Sequence, residues 1–163
     1  MKKIFTKQSV VVALIALILG GVITFGVIFS LAPSLMMLED ESRYGFEETI
    51  ANFEQEVEND GWSIMGYTDM QEVLKGHGHD VLDVRIYELC SSQYSARILQ
   101  LDDERIVSPL MPCRVSIYKK TDGNTYITRM NSQLMARTFG GVIDEVMEKA
   151  AAETEEILAR LIK

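Results

Sequence analysis

Histidine, cysteine and proline are scarce, with two, two and three residues respectively among 163. The cysteines lack C-x-x-C spacing, so no sequence signature of a lowered thiol pKa is present. No Gly-rich phosphate loop, G-x-S-x-G elbow or H-E-x-x-H pair occurs, which removes the phosphate-cradling, hydrolase-elbow and zinc-protease patterns and leaves little case for an enzyme. Positive charge is also short. The formal net charge is −8, and setting aside Lys2, Lys3 and Lys7 leaves 13 basic against 24 acidic residues, a net charge of −11. Such a surface repels nucleic acid and anionic lipid headgroups, and favours basic partners, cations or neutral ligands at long range.

Charge of either sign is missing from Gln8 to Leu38. Crossing a hydrocarbon core of ~30 Å takes roughly 20 helical residues, which the run from Val10 to Phe29 supplies. A transmembrane helix within residues 1–37, contacting lipid through residues 10–37, is therefore expected. A cleaved signal peptide is the alternative, with Ser30 and Ala32 as a faint small-residue site, but Pro33 follows it directly. Lys2, Lys3 and Lys7 on one flank and Glu39, Asp40 and Glu41 on the other place the N-terminus in the cytoplasm by the positive-inside rule. The remainder is then exported to the periplasm or exterior. Gly20, Gly21 and Gly26 do not form a clean G-x-x-x-G motif.

About 120 residues remain, enough for one hydrophobic core without metals or disulfides as obligatory staples. Residues 38–44 read as an acidic linker and 45–163 as the exported domain. Phe46, Ile50, Phe53 and Val57 form one apolar helical stripe, with Glu54, Glu56 and Glu58 on its solvated face. A short strand is predicted over Trp62 to Tyr67, then a helix capped by Thr68 or Asp69 and running to about Lys75. Val81 to Leu89 alternates as a strand ending at Cys90. A helix from Ser91 or Ser92 through Leu101 and a polar loop from Asp102 to Pro109 come next. Cys113 to Lys119 and Thr125 to Met130 are joined by Asp122-Gly123, a hairpin signal. The spacing of Val142, Val146, Ala150, Leu158 and Leu161 predicts one long helix from Leu134 to Ile162. This order suggests a two-layer α+β sandwich.

Cys90 and Cys113 are the redox or disulfide candidates. On neighbouring strands they could meet the ~5.5–6 Å Cα separation of a disulfide, which would contribute on the order of 3 kcal/mol in the chain-entropy model. Two buried thiols or a reactive, ligand-binding pair are the alternatives. His77 and His79, beside Asp80, are the only imidazoles; they could hold zinc or copper, although a glycine-broken surface turn accounts for them equally well. Met111 beside Cys113 adds a soft ligand, but methionine more often fills apolar gaps.

Tyr87-Glu88-Leu89-Cys90, then Leu110-Met111-Pro112-Cys113-Arg114-Val115-Ser116-Ile117-Tyr118 and Asp122-Gly123, resemble the domain of unknown function 302 family. Phe46-Glu47-Glu48-Thr49 and Asp60-Gly61-Trp62 agree with its upstream pattern, and the likeness covers about residues 44 to 160. The resemblance implies a compact two-layer sheet-and-helix fold of TATA-binding-protein-like type, often dimeric, with members accompanying thiol, sulfur or electron-transfer systems. One departure is that Ser91 and Ser92 replace the family's Asn-Pro after the first cysteine, so the backbone there lacks proline's constraint.

These readings together predict a non-catalytic, membrane-tethered accessory or binding domain, associated with a larger membrane, electron-transfer or sulfur-handling assembly through a protein partner. The competing expectations are a thiol-redox protein using Cys90 and Cys113, and a haem or metal carrier.

Overall fold

The chain divides after Leu35 into two units. The computed structural model describes residues 7–163. In the first unit, helix α1 (Lys7–Met36) contains the stretch Val10–Met36, whose mean hydropathy of 2.8 and length of 27 residues correspond to about 40 Å of helix. It is long and apolar enough to cross a membrane, a property that an anchor and an N-terminal signal sequence share. Lys2 and Lys3, two of the three N-terminal lysines used for the orientation, lie outside the described residues.

The second unit is built on a five-stranded antiparallel sheet of β1 (Met37–Glu41), β2 (Ser63–Asp69), β3 (Val84–Cys90), β4 (Cys113–Lys119) and β5 (Thr125–Met130), in the order β1-β5-β4-β3-β2. The helices are α2 (Phe46–Asn59), α3 (Met70–Gly76), α4 (Ser92–Leu99), α5 (Ser132–Ala136) and α6 (Gly141–Ala159), with a 3-10 helix at Glu104–Leu110. Strand alternation sends Tyr87, Leu89, Val115, Ile117 and Ile127 to one face. They are buried there against the α2 stripe of Phe46, Ile50, Phe53 and Val57, and against Ile157 and Leu158 of α6. Sheet and helices form the expected two-layer α+β architecture. A smaller cluster of Ile98, Val107, Ala136, Ile143, Val146 and Met147 ties α4, the 3-10 helix and α6 together at one end of the sheet.

Three expectations change. Most of the supposed linker over residues 38–44 is strand β1, paired with β5 from Met37↔Met130 to Glu41↔Tyr126. Its acids suit an edge strand, where charge blocks further strand addition, and they find partners in β4, β5 and the β4–β5 turn: Glu39 takes Lys120 and Tyr118, and Asp40 takes Arg129. The polar stretch after Leu101 winds into the 3-10 helix because Val107 buries its side chain there. The terminal helix is broken between α5 and α6, where Gly140 and Gly141 adopt φ of +68° and +58°, the left-handed region that ends a helix. The Asp69 cap is found as predicted, its carboxylate accepting from the Glu72 N–H at 3.0 Å. So is the hairpin, with Gly123 at φ +85° in the turn.

Candidate functional site

Strands β3 and β4 are neighbours, and the register sets Leu89 opposite Cys113 while Cys90 lies opposite Ser63 of β2. The cysteines therefore share one end of the sheet, offset by one residue. Both are half-buried, unbridged thiols here. The diagonal offset denies the directly opposed geometry a bridge favours, and the Cys90 sulfur lies instead 3.3 Å from the Ser95 hydroxyl on α4.

Two adjoining cavities lie at this end. One, of about 120 Å³, lies between the sheet and α6 and extends from Leu38 and Arg129 to Met147 and Ala151. The other, of about 30 Å³, is enclosed by the ends of β3 and β4, by α4 and by α6. Leu110, Cys113, Met147 and Ala150 line both. Burial pushes the Cys113 thiol up from its ordinary value, and the neighbouring Cys90 adds to the shift. Cys113 therefore stays protonated where a reactive cysteine would be a thiolate.

The polar groups at the cavity walls are already engaged with one another. Trp62 Nε1 and the Tyr94 hydroxyl both donate to Glu153 of α6, at 3.0 and 2.6 Å, and the bond to Glu153 is the first cause of a raised Tyr94 pKa. Arg129, almost fully buried, is clamped by Glu155 and Asp40, with its Nε 2.8 Å from Glu155. Nothing in the motif reading singled out Glu153 or Arg129. Arg129 did leave a signal, as a charge on the same strand face as Thr125 and Ile127. The carboxylates expected to form a solvated face are also engaged, since Tyr87 donates to Glu54 at 2.6 Å and Arg160 pairs with Glu56.

His77 and His79 are exposed in the turn after α3, near the opposite end of the sheet, and their backbone amides close that turn on Leu74. Among the described residues no three His, Cys, Asp or Glu side chains gather as a metal site, so the imidazoles acquire no further ligand.

Comparison with known proteins agrees with this architecture. The crystal structure of an uncharacterized conserved protein DUF302 from Bacillus stearothermophilus superposes with a TM-score of 0.70 at 21% identity, covering 77% of this chain and 98% of that one. No curated protein matches the chain. The profile described as Domain of unknown function DUF302 matches residues 38–163, β1 included, and the chain belongs to that family.

Proposed function

We propose that this protein is a membrane-tethered binding domain, an accessory component that presents the cavities beneath α6 on the periplasmic or external side of the membrane. The observation that carries this reading is the pair of adjoining, mainly apolar cavities sharing Cys113, whose thiol burial keeps protonated. A recess of this kind suits recognition better than proton or acyl transfer. The apolar helix α1 supports the tether, and the −11 charge of the remainder keeps the domain from binding acidic headgroups. Tethering raises the effective concentration of the domain for a weak partner in the same membrane.

The test uses the full chain, extracted from membranes under native conditions and analysed by native mass spectrometry. The expected result is a bound small molecule or co-purifying subunit that is lost when Ala151→Leu narrows the larger cavity. A chain that emerges bare, or a partner indifferent to this substitution, would count against the reading. Protease accessibility in spheroplasts tests the orientation.

A thiol-redox role is the second reading, favoured by two unjoined thiols lining one cavity. It requires Cys90 and Cys113 to exchange with an external disulfide, which calls for a thiolate. Because the Cys113 pKa is raised, its alkylation should be slow at neutral pH and accelerate only above the ordinary thiol range. Rapid neutral-pH labelling of Cys113 would favour the redox role.

A further inference from the structure

The sheet has two ends, and chain order fixes which one follows directly on the apolar span. Met36 closes α1 and Met37 opens β1, while the Asn131 N–H donates to the Met36 carbonyl at 2.8 Å. The register carries this end of the sheet across from Met37↔Met130 to the start of β4 and the end of β3. Two connections leave the sheet here: residues 91–112 run from β3 to β4 through α4 and the 3-10 helix, and residues 131–140 run from β5 to α6 through α5.

Beyond Leu82, every large apolar side chain that is exposed among the described residues lies in these connections: Leu99, Leu101, Ile106, Leu134 and Phe139, with Ile106 at 72% and Phe139 at 48% exposure. Leu99 and Ile106 are chain neighbours of the buried Ile98 and Val107, and Leu134 comes one α5 position before Met135 and the buried Ala136. The cluster thus has an apolar interior and an apolar exterior, and an exposed apolar group of this kind marks a surface that something covers.

Charge is balanced at this end alone. Residues 91–112 hold Arg97 and Arg105 against Asp102, Asp103 and Glu104, a net −1, and residues 131–140 hold Arg137, a net +1, so the two together are neutral in a remainder of −11.

We propose that these two connections form a membrane-contacting surface, with Leu99, Leu101, Ile106, Leu134 and Phe139 set into the headgroup and upper acyl region of the bilayer that α1 spans. The inference rests on the tether in the reading above and not on the cavities. Amphipathic surfaces settle in this region by burying apolar side chains at the acyl boundary while polar ones stay among the headgroups. No linker holds this end away, because β1 starts at the residue after the span and each extended residue reaches only about 3.3 Å. The local neutrality removes the repulsion from headgroups that the acids impose elsewhere. Continuity with the span selects the bilayer over a second copy, whose own −11 charge adds repulsion.

The experiment places the full chain in phosphatidylcholine nanodiscs and reads tryptophan emission against lipid brominated near the top of the acyl chain. The chain has one tryptophan, the buried Trp62, which sets the baseline. Ile106→Trp and Phe139→Trp change exposed positions, so the fold is kept, and each should lose most of its added emission to the brominated lipid. Leu82→Trp, equally exposed in the connection from α3 to β3 at the other end of the sheet, should lose none. Phe139→Asp should restore much of the Ile106→Trp emission by lifting this end from the bilayer. Absence of quenching at Ile106→Trp and Phe139→Trp, equal quenching at Leu82→Trp, or a blue-shifted emission untouched by brominated lipid, the mark of a protein cover, would each overturn the proposal. The mass of the chain extracted from membranes separates this contact from the tether. A chain that begins beyond α1 removes both, whereas a full-length chain without quenching removes only the contact and leaves the binding-domain reading standing.

Discussion

Where β2 runs into α3 and β3 begins, the sheet end is closed by charge: Arg85 meets Asp69 at 3.4 Å and lies over the Tyr67 ring, while Lys119 meets Asp83 at 2.6 Å. Where β3 ends and β4 begins, sulfur, apolar side chains and hydroxyls surround two cavities, and the charges on the wall of the larger, Arg129 and Glu155, are spent on each other. The same sheet thus carries a sealed end and an open one. Ion pairs of partly exposed groups hold their geometry at little net gain in stability. An apolar recess forfeits contacts that denser packing would supply, so its retention at the thiol end is where a binding role is best sought.

Breaking the shared frame should have the largest effect. Phe53 is fully buried and meets the Tyr87 ring edge-on at 5.1 Å, so Phe53→Ala should cost about 3–5 kcal/mol and abolish both ends together, as read by chemical denaturation. Tyr87→Phe should cost less, about 1.5 kcal/mol, by removing the 2.6 Å bond to Glu54. Burial, followed by that bond, raises the Tyr87 pKa, so the phenol stays protonated across ordinary pH and this loss should not vary between pH 6 and 9.

Asp69→Ala probes the sealed end alone and should cost about 1 kcal/mol through loss of the α3 cap. The Glu72 N–H is the first cause holding the Asp69 pKa below 3.8, and Arg85 assists. A depressed carboxylate stabilises above its unfolded value and loses that contribution as pH falls through the folded one, so the gap between variant and parent should close below about pH 4. Smallest of all, His77→Ala with His79→Ala should change stability by less than about 0.5 kcal/mol in thermal unfolding, as expected of an exposed turn.

Local pattern made much of this fold legible. The α2 stripe, the Asp69 cap and the Asp122-Gly123 hairpin all depend on residues within a few positions of one another, and periodicity and turn chemistry report such features directly. Strand β1 was hidden because Glu39, Asp40 and Glu41 look like a solvated connector until β5 supplies hydrogen-bond partners and Arg129 and Lys120 supply countercharge. The broken terminal helix was hidden behind an apolar spacing that continues on both sides of Gly140 and Gly141. At the site, Cys90 and Cys113 were visible as residue types, whereas their company was not: Met147 and Ala150 come from a helix more than thirty residues further along the chain.

The sequence by itself determined the apolar span, the acidic character of the remainder, the two-layer α+β plan and the family to which the chain belongs, because composition, periodicity and short motifs are written locally. Only the tertiary structure decided that the cysteines sit one residue out of register on β3 and β4, that Glu54 and Glu153 are held by aromatic donors, and that Cys113 stands between two cavities. Those facts depend on strand register and on how α4 and α6 pack over the sheet, and register is fixed by cooperative burial across the domain rather than by any one segment.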